Sequence, residues 1–301
     1  MSFDQSVKVF KVQCIGWIMR KFLIFILLCL SLPVNADVIH EMDREGDHFV
    51  YVPDETPKHI LVISHGMLSK GEAASDVANR YISRWVKYAE KYELLLIAPV
   101  FDTPRFGNLG GGYGGYRNLF GKYIAADEFV NKLVNRYSVR TTSGSKRFYL
   151  YGHSAGGQFV NRYVVTHPDN IIHAVVSAAG RYSYPTKSSK WPYGAGNLFK
   201  AITWKDGSRS RVAITRSLRN YALAAGKVSI VIGSEDTKRQ PKRPAHSGNT
   251  RIEIANSWAR EMNRNSKRYG LEGAVNVNVI KGIGHSSSAL TPYCANVLFG
   301  G

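Results

Sequence analysis

One short stretch of this chain has residue types and spacing that could do chemistry: Gly152-His153-Ser154-Ala155-Gly156, at the end of the apolar run Phe148-Tyr149-Leu150-Tyr151. A serine hydroxyl is a weak nucleophile at neutral pH, so covalent catalysis needs a base within hydrogen-bond reach and a carboxylate to orient that base. Gly152, Ala155, Gly156 and Gly157 are small. Small neighbours are what a strand needs when it turns abruptly into a helix and leaves the serine in strained backbone with its hydroxyl presented. The helix expected after the turn, roughly 157–166, aims unpaired backbone amides at the same point, where a developing oxyanion would meet oriented donors. The plain alternative is a Gly/Ser turn with no chemistry.

The partners are sought at the ends of other expected strands. Val228–Ile232 runs into Gly233-Ser234-Glu235-Asp236, and a strand ending near Val279 runs into Gly282-Ile283-Gly284-His285. Asp236 is favoured over Glu235 as the acid, because a Gly-x-x-Asp turn puts the second acidic residue at the loop apex. His285 is favoured over His246 as the base, since His246 lies in a basic loop soon after Asp236 and cannot follow the last strand. The expected catalytic set is therefore Ser154, Asp236 and His285. Ala155 supplies one oxyanion amide, and Met67, from the His65-Gly66-Met67 segment that closes a strand over 59–64, supplies the other. His65 and His153 read as structural hydrogen-bonding residues of tight turns.

The elements that must position these residues follow from apolar patterning. Short strands over 38–42 and 48–53 suggest an opening antiparallel hairpin. After Pro57, apolar runs alternate with longer amphipathic segments: 59–64 then 72–92, 93–100 then 123–137, 147–151 then the elbow helix, 171–179, 228–232 then 252–269, and 274–281 then a last helix from about Ser287. Val, Ile and Leu runs without polar alternation fit strands buried on both faces, so the expectation is an α/β fold with eight mostly parallel strands flanked by helices. Two stretches interrupt the repeat. The glycine-rich loop 101–122 carries Tyr113 and Tyr116 and reads as a pocket wall; no Gly-Lys-Ser/Thr ends it, which argues against phosphate binding. The segment 181–227, with Trp191 and Tyr193 and a basic stretch expected to be helical, reads as a cap insertion after the sixth strand. Tyr113, Tyr116, Trp191 and Tyr193 are the candidate substrate-pocket residues.

From about Pro57 to its end the chain resembles the α/β-hydrolase superfamily. The pairing of His65-Gly66-Met67 with Gly152-His153-Ser154-Ala155-Gly156 is similar to secreted esterases of the polyhydroxybutyrate-depolymerase and feruloyl-esterase type, and the separated pieces occur in the order serine, acid, histidine. The resemblance implies hydrolysis of carboxylic esters through an acyl-enzyme without a cofactor. A serine peptidase, an acyltransferase, and a non-catalytic envelope-binding protein on the same fold stay open as alternatives.

Composition bounds the setting. Met19-Arg20-Lys21 followed by the apolar run Phe22–Leu32 and the small-residue site Val34-Asn35-Ala36 has the layout of a secretory signal. Cleavage before Asp37 and a start of translation at Met19 are expected, with the protein periplasmic or secreted and its mature part free of a membrane span. An uncleaved anchor is the alternative. Cys294 is then the one cysteine left, so no intramolecular disulfide and no cysteine-rich metal site can form, and the histidines lack metal-ligand spacing. The segment from Asp37 spans 265 residues, enough for one well-cored domain. The whole chain carries a net charge of +18, and much of it is concentrated. Residues 181–227 hold ten Lys/Arg against Asp206 alone, and 238–251 hold five with no acid. Both stretches follow strand ends on the side expected to hold Ser154. An anionic substrate or an anionic envelope surface is the partner this implies, and general solubility is the bland reading. Aromatic residues interleave with these bases as in single-strand nucleic-acid grooves, but an exported hydrolase argues against that partner.

Overall fold

The structure is a computed structural model and describes residues 37–44, 46–108, 114–122, 124–196, 199–203, 209–213 and 217–300. The expected signal segment 1–36 and Tyr113 lie outside the described residues.

An eight-stranded sheet organises the chain. Its strands are β1 Ile39–Glu41, β2 His48–Tyr51, β3 His59–Ser64, β4 Leu94–Pro99, β5 Phe148–His153, β6 Ile171–Ser177, β9 Val228–Gly233 and β10 Asn276–Ile280, in the spatial order β1-β2-β4-β3-β5-β6-β9-β10. The β1–β2 and β2–β4 pairs are antiparallel. All pairs from β4 through β10 are parallel, so their C-terminal ends open on one edge of the sheet. Leu94–Pro99 is buried throughout, as expected for a strand covered on both faces. Each fully buried Leu or Ile there contributes about 1.5–3 kcal/mol of hydrophobic stabilisation before entropy is set against it.

The covering helices bury one stripe each. In Ala74–Ser83 the buried residues are Ala74, Val77, Ala78, Tyr81 and Ile82, and in Ala126–Tyr137 they are Ala126, Phe129, Val130, Leu133, Val134 and Tyr137. This i, i+3, i+4 spacing is the face of an amphipathic helix. The helix Ala155–Thr166 differs, being buried on every side. It starts directly from Ser154 at the centre of the sheet.

The insertion 181–227 departs from the helical expectation. Phe199–Thr203 (β7) and Arg209–Ala213 (β8) pair antiparallel as a separate two-stranded ribbon, and a helix, Leu218–Ala225, follows only after Ser217 caps it through Asn220 N at 3.1 Å. The sequence reason is local: Ile202, Thr203 and Val212 are β-branched, and Asp206-Gly207 between the strands is a hairpin turn signal.

Candidate active site

The serine sits where β5 becomes the buried helix. Ser154 has φ 56° and ψ −109°, backbone that costs a non-glycine residue about 1–3 kcal/mol. Neighbouring structure holds it there: Ser154 N–H donates to Ser177 O at 2.8 Å, and Gln158 N–H donates to Ser154 O at 3.1 Å. The turn closes only because its flanks lack side chains. A Cβ on Gly152 would lie 2.5 Å from Gly156 C, and one on Gly156 would lie 2.2 Å from Ser64 O and 2.7 Å from His65 O. The same close approach sets the first turn of the helix against the end of β3. Ala155 and the His65-Gly66-Met67 segment therefore flank one junction, where a Cβ on Gly66 would stand 3.7 Å from His153 O.

The other two loops are tied to each other. A Cβ on Gly233, at the end of β9, would lie 2.0 Å from Ile283 O, so a glycine there is what lets the 282–285 loop lie against the strand end. Ser234 N–H donates to Ile280 O at 2.8 Å, Glu235 N–H to Ile283 O at 2.9 Å, and Gly282 N–H to Ser234 Oγ at 2.9 Å. Within this clasp His285 Nδ1 lies 2.6 Å from Asp236 Oδ2, and His285 Nε2 lies 3.0 Å from Ser154 Oγ. Glu235 points to solvent and Asp236 is buried. The structure thus brings Ser154, His285 and Asp236 into one hydrogen-bonded line, with Asp236 at the position for which the sequence left Glu235 as the rival.

Asp236 has a second partner that sequence reasoning did not assign. Arg251 Nη1 donates to Asp236 Oδ1 at 2.5 Å, from the first turn of the helix Arg251–Arg268. Burial by itself would raise the Asp236 pKa, but the hydrogen bond and charge of His285 and the Arg251 guanidinium outweigh it and hold the carboxyl below the ordinary aspartate range. Arg251 belongs to the basic stretch noted in the sequence, yet nothing in its spacing marks it as the partner of a carboxylate fifteen residues earlier.

Both turn histidines are structural and neutral. Phe101 N–H donates to His65 Nε2 at 3.1 Å, which leaves the proton on Nδ1 to donate to Gly66 O at 2.8 Å. Burial pushes the His65 pKa down to about 4. His153 pairs through Nδ1 with Ser177 Oγ at 3.0 Å and packs on the His285 ring at 4.7 Å between centroids. Burial, then the neighbouring His285, lower its pKa to about 3.

The expected pocket residues divide. Tyr116 is 1% exposed and donates 3.0 Å hydrogen bonds to His65 O and Gly66 O. It is a buried strut under the His65-Gly66-Met67 segment and not an exposed wall, because a phenol needs partners when buried and these carbonyls supply them. Trp191 is partly exposed, with its indole N–H donating to Asn118 O at 3.0 Å. Tyr193 is partly exposed beside His246, ring centroids 6.2 Å apart. His246 stands with Tyr184 and Tyr193 and is not a member of the Ser154–His285–Asp236 line. Met67, its side chain 42% exposed, follows Gly66 at the rim of the elbow.

A serine on a strained strand-to-helix turn, with acid and histidine loops at the ends of neighbouring parallel strands in this strand order, defines the α/β-hydrolase fold. No protein-family model and no curated protein matches the chain in sequence. Solved structures match it in fold. LpqC, a poly(3-hydroxybutyrate) depolymerase from Bordetella parapertussis, is 22% identical with a TM-score of 0.68 over 88% of this chain and 89% of that one. Poly(aspartic acid) hydrolase-1 from Sphingomonas sp. KT-1 is 20% identical with a TM-score of 0.66, over 89% of this chain and 100% of its own. An acetyl xylan esterase from Aspergillus awamori is 14% identical with a TM-score of 0.52, over 88% and 99%. At such identities the likeness is one of fold.

Proposed function

We propose that this chain is an exported serine hydrolase that cleaves carboxylic esters through a Ser154-His285-Asp236 triad and an acyl-enzyme intermediate. The observation that carries the reading is the continuous line from Ser154 Oγ through His285 to Asp236, at 3.0 Å and 2.6 Å, with the serine in strained backbone at a helix start. His285 Nε2 takes the Oγ proton as Oγ attacks the ester carbonyl carbon, and Asp236 stabilises the imidazolium that forms. The carbonyl oxygen gains the negative charge, which the Ala155 and Met67 amides receive. Collapse breaks the C–O bond, and the leaving alkoxide takes the proton from His285. Water then repeats the sequence on the acyl-enzyme, giving up its proton to His285 and releasing the acid and free Ser154.

No cofactor has a part in these steps. Esterases among the solved structures of the same fold support the substrate class, and the leader-like segment 1–36 supports export. Among the described residues no helix is long and apolar enough to cross a membrane. An anionic ester is the finer expectation from the concentrated positive charge.

The test is labelling with a fluorophosphonate probe together with hydrolysis of short p-nitrophenyl esters. Wild type is expected to label and turn over, and Ser154→Ala to fold, fail to label and lose at least about a thousandfold in kcat/KM. Unlabelled wild type, or an active Ser154→Ala variant, would overturn the assignment and leave a non-catalytic binding role on the same fold.

A further inference from the structure

Among the described residues, a group of cationic and polar side chains around Arg181 has no carboxylate paired with it. Arg162, on the helix that starts at Ser154, is 1% exposed, and its hydrogen bonds go to neutral oxygens: Nε to Pro192 O at 3.1 Å, and Nη1 to Arg117 O at 2.8 Å and Gln158 O at 3.3 Å. Arg181 follows the end of β6, its carbonyl held by Asn161 Nδ2 at 3.1 Å, and its own Nε is buried with no hydrogen-bond partner. His246 has both ring nitrogens buried and unpartnered, with Tyr184 and Tyr193 around the ring. Arg181 is the member on the side of the catalytic acid, because a Cβ on the preceding Gly180 would lie 3.6 Å from the Nε of Arg251, whose guanidinium holds Asp236.

Such an arrangement is costly. A buried cation and buried donors without acceptors each carry a desolvation penalty that only a matching group relieves. Burial and the surrounding arginines accordingly lower the Arg162 pKa to about 9 and that of His246 to about 4, and Arg181 moves down for the same first cause. Exposed arginines elsewhere in the fold have found acids, as Arg136 has with Asp43 and Arg264 with Glu261. Asp236 is already engaged by Arg251 and His285. An anion with more than one acceptor oxygen would satisfy these donors.

We propose that Arg181, Arg162 and His246 form a subsite that takes a free carboxylate carried by the substrate, so that the preferred esters are acidic ones. This rests on the hydrolase reading above and deepens it. A carboxylate fits better than a neutral carbonyl because the planar Arg181 guanidinium can engage both its oxygens while the His246 N–H donates from the side. Neutral His246 can give one hydrogen bond without adding charge.

The experiment compares kcat/KM for the mono-p-nitrophenyl ester of adipic acid with that for p-nitrophenyl hexanoate, which matches it in chain length without the terminal carboxylate. Wild type is expected to prefer the acidic ester by about tenfold or more, from the strength of a charge-assisted contact. Arg181→Gln should lower that preference at least tenfold, and Arg181→Lys, which keeps the charge but not the fork, should retain an intermediate value. His246→Asn should lower it at least threefold and covers the case of an unfolded Arg181→Gln. Arg264→Gln, which removes the same charge from a distant exposed ion pair, should leave the preference as it is. Binding of free adipate, followed by titration calorimetry, should weaken about tenfold in Arg181→Gln. A preference equal in wild type and Arg181→Gln, a wild-type preference for the hexanoate, or equal adipate binding would overturn the subsite. If neither ester is hydrolysed while adipate binding still depends on Arg181, the hydrolase reading fails and the carboxylate site stands.

Discussion

Arg251 holds the oxygen of Asp236 that His285 leaves open: Nη1 to Oδ1 is 2.5 Å, and His285 Nδ1 to Oδ2 is 2.6 Å. A buried carboxylate with one oxygen unsatisfied can rotate, and rotation would carry the imidazole with it. Arg251 is therefore a positioning residue for the proposed triad. Arg251→Gln is expected to lower kcat on a neutral ester by about tenfold to a hundredfold, the worth of one hydrogen bond to a charged group. KM should move little, since the contact does not touch a neutral substrate. A purely structural role would instead lower stability and leave kcat of the folded fraction unchanged.

The choice of acid is tested by charge-neutral replacements. Asp236→Asn should cost on the order of a thousandfold or more in kcat, because an amide no longer selects the tautomer and orientation of His285. Glu235→Gln should stay within about twofold of wild type, since Glu235 faces solvent. Kinetics of the two variants on one ester decide between them.

Stability should fall as the medium is acidified from about pH 6.5. His65 and His153 are held neutral in the fold, with pKa values of about 4 and about 3, while in the unfolded chain they take up protons near pH 6.5. The unfolded state then binds more protons, and each such histidine subtracts about 1.4 kcal/mol per pH unit until the pH falls to its folded value. Asp236 acts at the lower end: its depressed carboxyl stabilises the fold above about pH 4, and that contribution is lost as pH falls through its folded value. Burial holds His246 down to about 4 in the same way as the two turn histidines, so urea unfolding between pH 7 and pH 4.5 should show a slope of about three protons taken up, and a flat profile would remove the neutral-histidine account.

Salt should separate acidic from neutral substrates. The stretches 181–227 and 238–251 gather positive charge, and its reach shortens from about 30 Å at 0.01 M salt to about 8 Å at 0.15 M. The kcat/KM for an acidic ester is expected to fall severalfold over that range, while a neutral ester of similar size changes less than about twofold. Equal slopes would assign the charge to solubility or to docking elsewhere.

Export is read from mass. The protein recovered from the periplasm or medium should begin at Asp37, as the Val34-Asn35-Ala36 site directs. Recovery of a chain that retains the preceding residues would contradict cleavage there.

Much of this molecule was legible in its sequence, because local rules suffice for it. Uniform runs of Val, Ile and Leu mark strands buried on both faces, and the observed sheet has the expected eight strands, mostly parallel. Gly152, Gly156 and Gly233 announce close backbone approach, since any side chain there would strike a neighbouring main chain. Chain order and strand ends were enough to nominate Ser154, Asp236 and His285. The tertiary structure decided whatever depends on which distant segments meet. It made Tyr116 a buried strut for His65 and Gly66 when its place in a glycine-rich loop suggested a pocket wall. It set Arg251 on Asp236, and it buried Arg162 and the Nε of Arg181 with no acid beside them among the described residues. An arginine reads the same in sequence whether it faces water, a carboxylate or a row of carbonyl oxygens. Its role comes from desolvation and from the partners within reach, and only the folded chain supplies both.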